Sequence, residues 1–351
     1  MSPHILLYGA NGYTAGLILD RAREAGVPLI VAGRNAAAVS HIAAEYGCAA
    51  RIFDLDDPHA VAANLNDVGV VLNAAGPFVH TAEPLARACL QARVHYLDIT
   101  GEIPVFDALM ALDGPAREAG ILLMPGVGFD VVPTDCLAAH LKRALPEASH
   151  LALAFRGLNR LSRGTARTAI ELGHEAGWIR RDGTLQRVPL AHKCRTLDLG
   201  EESVEAMTIP WGDVATAWHT TGIPNIETYL ILPPAAIRWI RRGARLQGLL
   251  RFAALRQALQ ALIQRTLVGP DSQARAREMT VCWGEACDTA GHCVRARLTL
   301  PNAYTLTAWT ALEIAQRVLA GECPPGYATP AGCFGADFIL AFPGATRVDL
   351  P

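Results

Sequence analysis

No two of the nine cysteines in this 351-residue chain form a CxxC pair. Single, scattered thiols in a chain of this size read as reduced and mostly buried, the usage of a cytoplasmic protein. No apolar run approaches the ~20 residues of a membrane-spanning helix. The N-terminus has no basic stretch followed by an apolar core and a small-residue cleavage site, so no secretory leader is expected. Charge of either sign is also in short supply as a net quantity: the formal charge is −2, which leaves no global field to recruit nucleic acid. What the chain does have is apolar material, 51 % hydrophobic against 18 % charged residues. That fills a sizeable core, and the length favours two domains over one.

The first hundred residues alternate. HILLY (4–8), PLIVAGR (28–34), AARIFDL (49–55) and VGVVLNAAG (68–76) read as buried strands. Between them AGLILDRAREAG, NAAAVSHIAAEYG and PHAVAANLND read as helices, the first two stopping at Gly26 and Gly47. Near-continuous apolar strands between helices mean a parallel sheet covered on both faces. The expected fold class is α/β: an N-terminal Rossmann, doubly wound parallel sheet, and then a second α+β domain with a mixed, largely antiparallel sheet. The expected divisions are 1–135, 136–325, and a C-terminal segment 326–351 packing back on the first domain.

The turn after the first strand reads YGANGYTAG, with Gly9, Ala10, Asn11, Gly12, Tyr13 and Thr14 leading to Gly16. Small residues there let backbone N–H groups approach a pyrophosphate at a helix N-terminus. The second strand ends in Gly33-Arg34-Asn35, without the acid that binds an NAD ribose. A guanidinium can pair with a 2′-phosphate where a carboxylate would repel it, so NADP(H) is the expected cofactor. Asp54 ends the third strand and reads either as an adenine contact or as a helix cap.

Four motifs in order, YGANGYTAG, VLNAAGPF (71–78), YLDITGE (96–102) and PGVGFDVVPTD (125–135), make the first 140 or so residues resemble the saccharopine dehydrogenase-like family of NADP-binding oxidoreductases. That family includes saccharopine reductases and trans-acting enoyl reductases. The resemblance implies a nicotinamide held by the loops after strands four to six. It brings Ala74, Ala75, Gly76, Pro77, Gly128 and Phe129 into the cofactor-facing set, and Glu102 reads either as a cap of its loop or as closing the cofactor pocket. It also implies a reductase. Where relatives carry an aromatic hydroxyl past GPF, this chain has His80 and Thr81. Asp130, His80 and His174 are the candidate proton donors, each with a plain structural alternative as a turn, cap or helix residue.

Beyond residue 145, HLALAFRGL, SVEAMTIPWGDVATAWHT, NIETYLIL and REMTVCWGEACDTAGHCVRARLTL alternate like antiparallel strands, the last as a hairpin turning at Asp288–Gly291. His219 is placed on a strand, and GTARTAIELGHEAGWI on a helix. Cys282, Cys287, His292 and Cys293 lack metal-ligand spacing, so no metal is expected. Residues 235–267 hold seven arginines and no acid. Arg238, Arg241, Arg242 and Arg245 fall on one helical face, a docking surface for an acidic carrier protein or an anionic membrane. The expected activity is NADPH-dependent reduction of a C=N bond on a small or carrier-tethered substrate, such as a thiazoline-type imine of siderophore assembly, by a homodimer. The alternatives are an enoyl (C=C) reductase, a saccharopine-type amino-acid dehydrogenase, and a non-catalytic NADP-binding protein.

Overall fold

The structure, a computed structural model, describes residues 4–157, 177–243 and 272–351. The chain divides into two compact units, residues 1–132 with 304–333, and residues 133–303 with 334–351.

In the first unit, β1 (His4–Tyr8), β2 (Leu29–Gly33), β3 (Ala49–Ile52), β4 (Val68–Asn73), β5 (His95–Asp98), β6 (Leu122–Met124) and β15 (Gly326–Tyr327) form one seven-stranded sheet. Its order is β15-β6-β5-β4-β1-β2-β3. Every pairing is parallel. The connections are α1 (Tyr13–Ala25), α2 (Ala36–Tyr46), α3 (Pro58–Ala63), α4 (Ala82–Ala92), α5 (Ile103–Met110) and α6 (Asp113–Ala119). Helices on both faces explain the unbroken apolar strands: Leu6, Leu7, Val31, Val71, Leu72 and Leu97 are all fully enclosed. The chain first lays strands outward from β1 to β3, then returns to lay β4, β5 and β6 on the other side. That reversal makes the β1/β4 boundary a topological switch point, where doubly wound sheets open a crevice at the carboxyl ends of their strands.

The second unit holds β7 (His150–Arg156), β10 (Cys194–Asp198), β11 (Ser203–Thr208), β12 (Asn225–Ile231), β13 (Met279–Cys287), β14 (Cys293–Pro301) and β16 (Thr346–Leu350). They lie in the order β10-β11-β12-β7-β13-β14-β16, with the hairpin β8 (Gly177–Arg181) and β9 (Thr184–Val188) joined to β12. All pairs are antiparallel except β7 with β12. One face is covered by α7 (Val132–Ala144): a Cβ on Gly284 would sit 2.6 Å from Leu141 Cδ1. The other face carries Tyr229, Trp283, Leu197 and Ile231.

Several expectations need correcting. The stretch after β11 is a helix, Asp213–Thr221, so His219 lies in a last helical turn and not on a strand. Gly212 stands at its start and Gly222 closes it in a left-handed conformation, and these breakers outweigh the apparent alternation. Gly177, Trp178 and Ile179, expected at the end of a helix, open β8; the rest of that expected helix, His174 included, lies outside the described residues. The first unit ends near residue 132, and it takes back residues 304–333. The final segment does not pack on it as a block: β15 extends the parallel sheet, whereas β16 pairs with β14 in the second unit. Edge positions in two different sheets were open, and a short chain end can fill both.

The thiols also depart from expectation. Cys287 is bonded to Cys293, and Cys323 to Cys333. The first pair stand directly opposite each other on β13 and β14, where antiparallel strands bring side chains closest. The cytoplasmic reading rested on unpaired thiols and loses that support. Cys89, Cys136 and Cys282 are free and buried, and burial pushes each thiol's pKa up, so these three stay protonated. Among the described residues, no helix is long and apolar enough to cross a membrane.

Candidate cofactor and catalytic site

The turn from β1 into α1 is pinned to its neighbours. Gly9 and Ala10 both donate their N–H to Ala32 O, and Gly12 donates to Gly9 O. Gly9 has φ +83°, and a Cβ there would fall 2.7 Å from Ala75 Cβ. Only glycine meets both demands, and its absence of side chain brings the β1 turn against the β4 loop. Gly12 precedes the helix with no side-chain cap, and the first turn of α1 carries no acid. The positive end of the helix is thus left for an anion, as a pyrophosphate site requires. Gly16 is different. Nothing lies within 4 Å of its missing Cβ, so the third glycine of the motif answers no close approach in this chain.

At the end of β2, Arg34 is exposed. Asn35 is committed to structure, its Oδ1 accepting Ala38 N–H at 3.0 Å to cap α2. Asp54 is exposed and turns on itself, accepting Asp56 N–H at 3.2 Å; the cap of α3 is Asp57 instead. Tyr8 donates to Phe53 O, and its phenol is pushed up to about 12, by burial first, with Arg34 opposing and Asp54 and Asp56 adding. The guanidinium and both carboxylates therefore lie near one phenol.

The loops after β4, β5 and β6 are joined by one buried hydrogen-bond network. Asn73 Nδ2 donates to Thr81 Oγ1 and to Tyr96 OH, both at 3.1 Å, while its Oδ1 accepts Ala75 N–H. Thr81 Oγ1 donates to Ala75 O at 2.7 Å. Tyr96 OH donates to Asp98 Oδ2 at 2.9 Å, and Asp98 Oδ1 accepts from Thr100 N and Gly126 N. Burial pushes the Asp98 carboxyl up to about 7, although these three donors pull the other way. Glu102 lies beside this network and accepts Phe78 N–H at 3.0 Å and Val79 N–H at 2.8 Å. It is 2 % exposed. Of its two readings, the loop-holding one is seen directly: Glu102 clamps the GPF loop.

Asp130 lies against the same loops. A Cβ on Gly101 would fall 2.9 Å from Asp130 Oδ2 and 3.1 Å from its Cβ, so glycine at 101 makes room for the acid. The residue keeps a margin of solvent access while its carboxyl is desolvated. Burial first, and then the charge of Glu102, push that carboxyl up to about 7. A loop carboxyl raised toward neutrality is a candidate proton donor.

The preceding turn is held from a distance in sequence. Thr307 Oγ1, on the helix Ala303–Leu319, accepts Phe129 N–H at 3.0 Å. Its methyl fills the space of a Cβ at Gly128, 2.8 Å away. Thr310 Oγ1 donates to Val127 O at 2.8 Å. Phe129 is 3 % exposed, so its ring supports the loop from inside. Tyr304, on the same helix, meets Tyr13 edge to face, ring centres 5.2 Å apart. Thr307, Thr310 and Tyr304 had no local sequence signal, because their role exists only once residues 304–333 return to the first unit. His80 ends a 3-10 turn, Phe78–His80, and is exposed.

With that geometry, comparison with known proteins is decisive for the first unit. Residues 5–124 match the model of the saccharopine dehydrogenase NADP binding domain. The chain is 28 % identical over 155 residues to a human saccharopine dehydrogenase-like oxidoreductase, covering 38 % of this chain and 35 % of the relative. It is 30 % identical over 152 residues to a putative trans-acting enoyl reductase of Mycobacterium tuberculosis, covering 41 % of this chain and 36 % of that one. These matches thus span little more than a third of the relatives' own length. Saccharopine dehydrogenase (L-Glu forming) of Saccharomyces cerevisiae shares the fold across 99 % of this chain and 100 % of its own, at TM-score 0.68 and 14 % identity. Within the matched residues, the glycine cradle at Gly9 and the uncapped α1 leave room for a pyrophosphate, and Arg34 is exposed.

The second unit contains a cavity of about 300 Å³, lined by His150, Arg180, Lys193, Arg195, Glu227 and Glu285 among others. Its charges are largely spent on each other. Lys193 pairs with Glu227 at 2.9 Å, and Arg195 and Arg295 both bind Glu285. Glu285 also lies within 4.8 Å of the Cys287 and Cys293 sulfurs, but those sulfurs are bonded to each other and the carboxylate already serves two guanidiniums. His292 pairs with Asp288 at 2.8 Å.

Proposed function

We propose that this protein is an NADPH-dependent reductase in which the Asp130 carboxyl delivers the proton that balances hydride addition to the substrate. NADPH, when bound, supplies the hydride. The chain's own residues do the rest. The Gly9–Gly12 turn and α1 receive the pyrophosphate, and Arg34 selects the 2′-phosphate. The Asn73–Tyr96–Asp98 network and Glu102 hold the three loops that surround Asp130. The observation that carries this reading is a carboxyl raised to about 7 at the carboxyl-terminal edge of the parallel sheet. Such a group is largely protonated at pH 6 and can recover its proton after each turnover.

A mild acid of this strength suits a C=N bond, whose nitrogen takes the proton as hydride reaches carbon. A cyclic imine, free or tethered as a thiazoline on a carrier protein, is the substrate class we favour. Reduction of an enoyl C=C bond is the second reading, supported by the naming of the mycobacterial relatives. The test is NADPH oxidation by the purified protein with a thiazoline or pyrroline imine and with an enoyl thioester. Turnover of the imine should decline above about pH 7, and Asp130→Asn should lower it by roughly 10²–10⁴-fold. Turnover of the enoyl thioester alone would give the second reading. NADPH binding without oxidation of either would leave an NADP-binding protein with no reductase activity.

A further inference from the structure

The basic stretch from residue 238 belongs neither to the nucleotide site nor to the carboxylate cluster. Its described part is the helix Pro234–Gly243 in the second unit. Ile237 is 5 % exposed and packs with Ala191 and Met207, and Ile240 joins the same patch. The apolar stripe of the helix is therefore satisfied within its own unit. Its outer side presents Arg238, Trp239, Arg241 and Arg242, all exposed. Trp239 is 71 % exposed, more than any other large hydrophobic side chain among the described residues. The Arg242 guanidinium stands 5.8 Å from its ring centre.

Two features separate this surface from ordinary solvated charge. In the same unit Arg143 meets Asp337, Arg156 meets Glu202 and Arg297 meets Glu201. Arg238, Arg241 and Arg242 have no acidic partner among the described residues. The single-sign character also continues along the chain, since residues 235–267 contain seven arginines, no acid, and Trp, Phe, Ile and Leu as their large apolar residues. Guanidinium groups pair with phosphates, and an indole with one apolar and one polar edge settles at a water–lipid boundary.

We propose that the outer face of the helix Pro234–Gly243 docks on an anionic phospholipid surface. Arg238, Arg241 and Arg242 contact the headgroup phosphates and Trp239 enters the boundary layer. An acidic protein is the lesser fit. A protein interface needs a complementary, well-packed surface around a buried anchor, whereas an anionic bilayer accepts a one-sign basic strip at any register.

The test uses the full chain with vesicles of phosphatidylcholine alone and of equal parts phosphatidylcholine and phosphatidylserine. The mixed vesicles should bind the protein and the neutral ones should not, and added salt should weaken binding. Each arginine near the surface is worth about fivefold in partition, so R238Q/R241Q/R242Q should lose about a hundredfold. The matching triple lysine variant should retain most of the binding. Of the six tryptophans, Trp239 is isolated by subtracting the emission of W239F, and brominated lipid should quench that difference. The circular dichroism spectrum and melting temperature, unchanged in every variant, report that each remains folded. The proposal is overturned by absent binding to mixed vesicles, by a triple glutamine variant that binds like the parent, or by an unquenched Trp239. Arginine-dependent binding to a purified acyl carrier protein with no vesicle binding would also overturn it, and would place an acidic protein on this face.

Discussion

Replacing Asp130 by asparagine should make the first unit more stable, and increasingly so as pH rises. The carboxyl titrates near 3.8 when the chain is unfolded and at about 7 in the fold. Between those values the folded state holds a proton that the unfolded state has released. Stability from this group is therefore complete below pH 4 and is lost as pH rises through 7. Raising a carboxyl from 3.8 to about 7 corresponds to about 4 kcal/mol in full, of which about 3 kcal/mol falls between pH 5 and pH 9. Asparagine keeps the shape beside Gly101 and carries no charge at any of these pH values. The buried Asp98 titrates alike in parent and variant, so the difference isolates Asp130. For a unit of this size, each kcal/mol moves Tm by roughly 2–4 °C. The Tm of Asp130→Asn minus that of the parent should thus grow by roughly 6–12 °C from pH 5 to pH 9, read by scanning calorimetry. A difference that stays constant across that range would mean that Asp130 ionises like an exposed aspartate, and its role as a proton donor near neutrality would fall with it.

Three further outcomes follow from the geometry. Arg34→Asp should weaken NADPH binding by roughly 10–100-fold, the worth of a charge-assisted pair with phosphate, and leave NADH binding equal or tighter; an unchanged preference by titration calorimetry would remove Arg34 from cofactor choice. Gly9→Ala should abolish tight NADPH binding and cost roughly 1–3 kcal/mol, because φ +83° and the 2.7 Å approach to Ala75 Cβ both oppose it. Gly16→Ala, with open space around it, should instead stabilise α1 by roughly 0.5–1 kcal/mol, so the two denaturation midpoints should move in opposite directions. Thr307→Val keeps the volume but leaves Phe129 N–H without its acceptor; it should cost roughly 1–3 kcal/mol and accelerate hydrogen exchange at residue 129.

The division between local and tertiary information follows the reach of each physical effect. The apolar strands, the helix period and the stops at Gly26 and Gly47 act within a few residues, so the sequence by itself determined the parallel sheet, the phosphate turn, the absence of an acid after β2 and the 288–291 hairpin turn. Asp130 was also visible as a loop carboxylate beside the resemblance motifs. Its acidity was not, because burial against Gly101 and the nearby charge of Glu102 exist only after the loops of β5 and β6 meet. The same holds for the loop-clamping bonds of Glu102 and the enclosed ring of Phe129. Where local signals competed, as in the alternating residues 213–221 bounded by Gly212 and Gly222, packing and the breakers decided for helix. Thr307, Tyr304, β15 and the two cysteine pairs depend on contacts between residues far apart or across strands, and no local period encodes those. Tertiary structure alone decided which sheets the last strands joined, which thiols met, and which two carboxyls, Asp98 and Asp130, were desolvated enough to be raised to about 7.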